Sequence, residues 1–452
     1  MGARSARLAN LWTARLMPFV LLGAFGFASW VLIHRVCTMY LIRKTKETSL
    51  AIALITIYAI ILLLLVSSYI RVAVTVTFNP GYIPRGPAGF GDDANNTDTL
   101  NESEKPATSS STSRTFSQDL QHPQPGETTA VNLPRLPSTT SLTDVLRSGP
   151  RAEHAPYLHH SNPPRTPNVP RPSGPDPFPS NLSLFTSKSI FVCESDGYPR
   201  WCSQCNIWKP DRAHHCSEMN RCIWRMDHFC PWVGGVVGET SLRYFYQVVV
   251  YALIYCLYLL IVCGIVLSRR GTEYDSETGA TSSPDSTWIS VLVLSAFFAL
   301  FSFGMTYSTT QLIYRNLSTI DAISAGSKVY QLAIRDPNPP ARNIVQESMQ
   351  TQLPETHRRV WFGDRCYVIC KTMPGENPWR QPTIIENFRD AMGGGNWWNW
   401  VGLWGVAPPG TLGGLEGFYV WNQQVVRRLK RDAGILGKEE MRGAEFEVRR
   451  HG

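Results

Sequence analysis

Between Cys202 and Trp232 the chain gathers cysteine, histidine and aspartate at spacings that suit two kinds of chemistry. Cys202-x-x-Cys205, with His215-Cys216 and Cys222 downstream, offers a pair of thiolates, an imidazole and a third thiolate, the donor set of a tetrahedral zinc site. Cys230 stands outside that set with His228 two residues before it, so its sulfur is free to act as a nucleophile. If 227–230 is extended, His228 and Cys230 face one side and Phe229 the other. A free thiol titrates near ~8.5, and an imidazole that takes its proton leaves a thiolate.

The elements that must position these residues are membrane elements. Apolar residues make up 43% of the 452-residue chain, and they are concentrated in a few runs. Residues 17–36, 49–74, 244–267 and 288–311 each approach the roughly 20 apolar residues needed to cross a bilayer core, and we expect a transmembrane helix at each. No A-x-A-like cleavage site follows the first run, so it is expected to stay in the mature chain and not to serve as a signal peptide. The net charge of +8 sits mainly at the chain start (1–16), in the loop 35–46 and after Gln311. Basic flanks mark cytosolic segments, and the loop 268–286 holds more acids than bases. Arg43, Lys44 and Lys46 pull the other way, so charge alone leaves orientation open. The eleven cysteines show no paired spacing outside the cluster, and Cys37, Cys256 and Cys263 lie in or beside apolar runs. That usage fits reduced thiols and places the loop between spans two and three in the cytosol. The sequons at Asn95, Asn101 and Asn181 would accept glycans only if that loop were lumenal.

Residues 85–179 are rich in Ser, Thr, Pro, Asn and Gly and cannot bury enough surface to order themselves, so a disordered insert is expected. Segment 190–243 has little regular periodicity and many turn formers, as small zinc-held hairpins do. The tail 312–452, expected in the cytosol, contains Trp361, Trp379, Trp397, Trp398, Trp400 and Trp404. Such density fits either the membrane interface or a small folded tail with an aromatic core. Arg427-Arg428-Leu429-Lys430-Arg431 reads as a solvated helix face in preference to a contact with anionic lipid, and Cys366 and Cys370 as buried thiols.

Four spans, C-x-x-C, Lys209-Pro210-x-Arg212, His215-Cys216, Cys222 and Asp227-His228-Phe229-Cys230-Pro231-Trp232 together resemble the DHHC-type protein S-acyltransferases, or palmitoyltransferases, most of all a fungal branch. Further motifs agree in place and order. Asn79-Pro80-Gly81-x-x-Pro84 is similar to the family's Asp-Pro-Gly motif, Ser318-Thr319-Ile320-Asp321 to its Thr-Thr-x-Glu motif, and Asn377-Pro378-Trp379 with Asn387 to its C-terminal Asn/aromatic element. The family binds zinc through two interleaved ligand sets. The first maps onto Cys202, Cys205, His215 and Cys222, all present; the second maps onto Cys216, Met219, Phe229 and Val236, of which three are apolar. A structural zinc contributes ~10–16 kcal/mol, whereas burying Met, Phe or Val yields ~1.5–3 kcal/mol apiece. An apolar plug is thus weaker than a metal, but serves where the first zinc and the helices already hold the fold. One structural zinc is expected.

The resemblance implies an all-α membrane protein: four transmembrane helices with a cytosolic, zinc-bound, cysteine-rich hairpin domain (190–243) between helices 2 and 3. It implies that Cys230 gives its proton to His228, that Asp227 orients the ring, and that the thiolate takes an acyl group from acyl-CoA (palmitoyl-CoA) before passing it to cysteines of substrate proteins. Phe229 replaces a histidine that is a metal ligand in the family, so its loss is structural. Trp232 matches a position near the acyl thioester. Lys209, Arg212, Arg221 and Arg225 are candidates for the CoA phosphates, a solubilising surface being the alternative. The implied partners are acyl-CoA, substrate proteins with accessible cysteines and the bilayer, with no nucleic acid; the implied place is an endomembrane, vacuolar or plasma membrane. The competing class is a catalytically inactive, membrane-bound zinc scaffold, against which the retention of Asp227, His228, Cys230, Pro231 and Trp232 counts. The near absence of ionisable residues in the spans speaks against a transporter.

Overall fold

The structure, a computed structural model, describes residues 3–86, 181–271, 274–275, 280–281, 285–340, 357–393, 400 and 416–435. The insert expected at 85–179 lies outside the described residues except for Arg85 and Gly86. These two belong to the folded part: Gly86 N–H donates to Cys205 O at 2.9 Å, and Arg85 Nη2 to Asn220 O at 2.6 Å.

Among the described residues four helices are long and apolar enough to cross a membrane, Arg7–Lys44, Thr48–Phe78, Leu242–Arg270 and Ser286–Tyr314, and they mark a multi-pass membrane protein. The expected loop at 35–46 is mostly helix. Helix α1 (Ala3–Trp30) runs directly into a π-helical stretch, Val31–Lys44, and residues 45–47 alone separate that stretch from α2 (Thr48–Phe78). The reason is packing: Val31, Leu32, Val36, Cys37, Tyr40 and Leu41 are all buried, which keeps the backbone helical past His34 and Arg35. At ~1.5 Å per residue this first helix far exceeds the ~30 Å of a bilayer core.

A short helix, α3 (Leu182–Thr186), precedes strand β1 (Ile190–Cys193). Three antiparallel hairpins follow: β2 (Arg200–Cys202) with β3 (Ile207–Lys209), β4 (His214–Cys216) with β5 (Arg221–Ile223), and β6 (His228–Cys230) with β7 (Gly235–Val237). Helix α4 (Leu242–Gly271) and helix α5 (Ser286–Tyr314) come next, with the two-residue strands β8 (Tyr274–Asp275) and β9 (Ala280–Thr281) between them. Asp285 caps α5 by accepting from Thr287 N–H at 2.9 Å and takes an ion pair from Arg35 at 2.6 Å, which ties the far ends of the first and last spans together.

After α6 (Thr319–Ile323) the tail contributes strands β10 (Gln331–Arg335), β11 (Arg359–Phe362) and β12 (Arg365–Lys371). With β1 they make a four-stranded antiparallel sheet in the order β1-β10-β12-β11. The all-α expectation is therefore corrected: among the described residues a four-stranded sheet and two-stranded hairpins stand beside the helices. Phe191, Leu332, Tyr367, Trp379, Phe418 and Trp421 share its core, and Trp379 stacks on Trp421 with ring centroids 5.6 Å apart. Trp379 thus belongs to a folded aromatic core; Trp361 and Trp400 are half-buried, and Trp397, Trp398 and Trp404 lie outside the described residues. Cys366 and Cys370 are buried. The basic run 427–431 lies on α7 (Gln423–Asp432), which buries Leu429 and pairs Arg428 with Glu376.

Candidate active site and metal centre

The first two hairpins are knuckles of one design. Asn206 and Asn220, each one residue past Cys205 or Met219, adopt the left-handed conformation at the same φ of 51°, which asparagine tolerates better than most residues. The second knuckle therefore keeps the same turn with Met219 where the first has Cys205. A strand-like segment after α2 laces the pair: Ile83 N–H donates to Cys222 O at 2.9 Å and Trp224 N–H to Gly81 O at 3.0 Å.

Between the first two knuckles the donor atoms of Cys202 and Cys205 from one and of His215 and Cys222 from the other all lie within 4.8 Å of one another. His215 Nδ1 is 3.6, 3.3 and 3.9 Å from the sulfurs of Cys202, Cys205 and Cys222. Bonds of about 2.3 Å to sulfur and 2.0–2.1 Å to nitrogen space tetrahedral ligands by roughly 3.5–3.8 Å. The set fits zinc, and Ile83, Ile207 and Ala213 wall it from water. The second ligand set holds no such cluster among the described residues. Cys216, Met219, Phe229 and Val236 pack instead with Ile223, Met226 and Ile320 into one apolar core. Burial pushes the Cys216 thiol up to about 12, so it behaves as a small apolar group.

The third hairpin carries the reactive residues. β6 is extended and pairs Phe229 with Val236, so Phe229 turns into the apolar core while His228 and Cys230 turn away from it. His228 Nδ1 lies 2.6 Å from Asp227 Oδ2, and Cys230, two residues along the same strand, faces the same side as the ring. Asp227 is held from a distant element, accepting Thr319 N–H on Oδ1 and Thr319 Oγ1–H on Oδ2, each at 2.8 Å. Burial alone would lower the His228 pKa, but hydrogen bonds and charge from Asp227 and Cys230 raise it to about 10. Burial would likewise raise Asp227, but His228 and Thr319 hold it below the usual carboxylate value. Phe245 packs edge-on against the imidazole at 5.2 Å.

Cys230 also lines a narrow apolar cavity of about 100 Å³ between the helices, with Tyr69, Trp232, Phe245, Phe298 and Met305 around it. A further cavity of about 90 Å³ shares Leu21, Phe25, Leu65, Ala252, Phe298 and Ser302 with the first and reaches Ala28, Leu259 and Val291 deeper in the bundle. Tyr255 lines the deeper part and meets Tyr58 hydroxyl to hydroxyl at 3.1 Å, with Ser29 2.6 Å from Tyr58. Trp232, fixed by a hydrogen bond from Tyr69 to its carbonyl at 3.1 Å, leans on Phe298 and Phe301.

Of the five residues expected at the acyl-CoA, Trp232 alone lines this cavity. Arg212 and Arg225 are buried, so neither is a solubilising surface. Arg212 is 1% exposed and donates to Asp321 at 3.2 Å and to Asn316 at 2.9 Å beneath the rings of Trp379 and Tyr419. Arg225 is buried and reaches Asp390 at 3.0 Å and Asn316 at 2.8 Å. A buried guanidinium must be paired, so these cations knit the hairpins to the tail. Lys209 is buried too, and burial, then Arg200, lowers its pKa; Arg221 lies over the Tyr82 ring at 5.9 Å. Sequence reading missed the duty of Thr319, although the Ser318/Asp321 capping box that presents it is a legible pattern. It also missed Tyr69 and Phe245, for which the sequence carries no signal beyond an apolar run.

With this geometry in view, the likeness to known proteins is specific. Residues 195–326 match the family model described as DHHC palmitoyltransferase. Palmitoyltransferase pfa5 of Aspergillus fumigatus is 32% identical over 98% of this chain and 95% of its own length. Its namesake in Emericella nidulans is 28% identical over 98% of this chain and 90% of its own length. Palmitoyltransferase PFA3 of Kluyveromyces lactis is 38% identical across 33% of this chain and 45% of its own. The chain belongs to the DHHC palmitoyltransferases, enzymes of protein S-palmitoylation.

Proposed function

We propose that the protein moves a palmitoyl-type acyl group from acyl-CoA, through a thioester on Cys230, to cysteine thiols of substrate proteins. The observation that carries this reading is a cysteine on the same face of β6 as an aspartate-held imidazole, lining an apolar cavity within the helices. Asp227 accepts from Nδ1 of His228, which leaves Nε2 to take the Cys230 proton. The thiolate attacks the thioester carbonyl carbon, the carbon–sulfur bond to CoA breaks, and the departing CoA thiolate takes the proton back from His228. A substrate thiol then gives its proton to His228, attacks the Cys230 thioester and leaves with the acyl chain, restoring the Cys230 thiol. Both steps exchange one thioester for another of similar energy, so neither needs an outside energy source.

The cavity beyond Cys230 suits an extended hydrocarbon, because its lining is apolar and Trp232 and Phe298 grip its upper part. Cys202, Cys205, His215 and Cys222 would hold one zinc, which clamps the first two knuckles and takes no part in proton movement. We place the hairpins and both termini in the cytosol, where thiols and zinc thiolates stay reduced and acyl-CoA is available. Purified protein in nanodiscs, given radiolabelled palmitoyl-CoA, should gain hydroxylamine-sensitive label that Cys230→Ser abolishes. Equal label on that variant, or none on either, would leave the scaffold reading in possession; glycans on Asn95 or Asn101 would overturn the orientation.

A further inference from the structure

On the face of the sheet that carries α7 lies a cavity of about 620 Å³, lined by none of the residues assigned to acyl transfer. Helix α7 covers one end of that face, where the Cys370 thiol donates to Leu429 O at 3.9 Å. Val368 and Cys366 follow on the same face by strand alternation, and Ile334 and Ile190 stand beside Val368 in the register. Past the helix, Ile190, Ile334 and Cys366 make the floor of the cavity, and Ile435 makes a wall. The rim is charged. Two of its acids are occupied, Asp336 by Arg359 at 3.5 Å and Glu416 by Gln423 at 2.9 Å. Arg335, Arg365 and Asp364 also stand at the rim, and among the described residues none of these three side chains makes a hydrogen bond or an ion pair.

Two unpaired cations and one unpaired anion above an apolar floor are the complement of a segment that alternates charge with apolar side chains and carries two acids and one base. The chain itself supplies one. It leaves the described residues at Ile435, on the wall of the cavity, and further on reads Glu445-Phe446-Glu447-Val448-Arg449. In an extended segment Phe446 and Val448 face one way and Glu445, Glu447 and Arg449 the other. A single placement therefore sets Phe446 and Val448 on the floor and brings carboxylates to Arg335 and Arg365 and a guanidinium to Asp364, all charge-assisted pairs. Residues 436–444 can span roughly 30 Å, enough to lead the segment away from Ile435 and back over the cavity. We infer that residues 445–449 dock in this cavity of their own chain. The sheet beneath joins β1, which precedes the knuckles, to β10, which follows the last span, so the docked segment braces the seam between them.

A fluorescent peptide of residues 443–452 tests this by anisotropy, with the full-length protein in nanodiscs at fixed ionic strength. Wild-type protein, whose own segment holds the cavity, should bind the peptide at least tenfold more weakly than full-length Phe446→Asp, whose segment is released. A peptide that itself carries Phe446→Asp should not bind that variant. Adding Arg335→Glu and Arg365→Glu to the protein should weaken binding of the native peptide by about tenfold or more, the loss expected for charge-assisted hydrogen bonds. A peptide with Glu445→Arg and Glu447→Arg should recover most of that loss, and recovery is seen only on a folded protein. Equal binding by wild type and Phe446→Asp, or saturable binding by neither, overturns the docking whatever the rim variants do. A wild-type dimer that Phe446→Asp dissolves places the segment in a neighbouring copy and overturns docking within one chain.

Discussion

Thr319 grips Asp227 twice, its backbone N–H on Oδ1 and its hydroxyl on Oδ2, both at 2.8 Å. A residue 92 positions away in sequence thus fixes the carboxylate that holds His228. The hairpin alone does not set the geometry of its own reactive cysteine. The turn after the last span sets it.

Thr319→Val keeps the backbone donor and removes the hydroxyl, so Asp227 Oδ2 loses one of its two partners. One hydrogen bond to a charged group is worth about 1.5–3 kcal/mol, and single-turnover acyl loading of Cys230 should slow by about tenfold or more. Thr319→Ser should restore most of the rate. If Val and Ser load equally fast, the hydroxyl contact is idle.

His228→Ala should slow loading by roughly 10²- to 10⁴-fold, the usual value of a positioned general base. The same residue makes stability depend on pH. Its pKa is raised from 6.5 to about 10 by Asp227 and Cys230 against the effect of burial, so the folded state holds the proton more tightly than the unfolded one. The stabilisation is complete below pH 6.5 and is lost as pH rises through about 10. Thermal unfolding in detergent should therefore weaken between these values in the wild type and stay flatter in His228→Gln. Parallel curves would mean that the imidazole carries no raised pKa.

Metal analysis should find about one zinc per chain. Cys222→Ala breaks the four-donor set and should unfold the knuckles, whereas Cys216→Ala trims an apolar core and should cost no more than about 1–2 kcal/mol. Phe229→His puts a histidine in the tetrad but buries an imidazole beside Met219 and Val236, which offer neither the thiolate, the imidazole nor the carboxylate of a zinc site. It should lower stability without raising the zinc content. Two zincs per chain, or equal collapse in both cysteine variants, would mean that another side chain, His214 being nearest in sequence, rebuilds the second site.

Ala28→Phe places a ring in the deeper cavity, where Ala28 is 5% exposed beside Tyr255. Competition between labelled acyl-CoAs should then shift toward chains shorter than palmitoyl, with loading of short chains intact. An unaltered preference would place the hydrocarbon elsewhere.

The sequence by itself determined a good deal. Apolar runs of membrane length, the Cys202-x-x-Cys205 knuckle and the His228-x-Cys230 spacing are local patterns, and local patterns survive without coordinates because bilayer thickness, metal geometry and strand periodicity each impose a fixed interval. The apolar character of Met219, Phe229 and Val236 was legible too, and the structure packs all three into one apolar core.

Tertiary structure decided what depends on residues far apart in the chain. A basic residue reads the same in sequence whether it meets a phosphate or a buried carboxylate, so only packing showed that Arg212 belongs to Asp321 and Arg225 to Asp390. The sheet was invisible because β1 lies before the knuckles and its partner β10 follows the last span, and each strand is too short to announce itself. The extension of the first helix through Arg35 came from side chains that bury against the other spans. Thr319 became a support for Asp227 because α6 starts where α5 sets it down, beside the third hairpin.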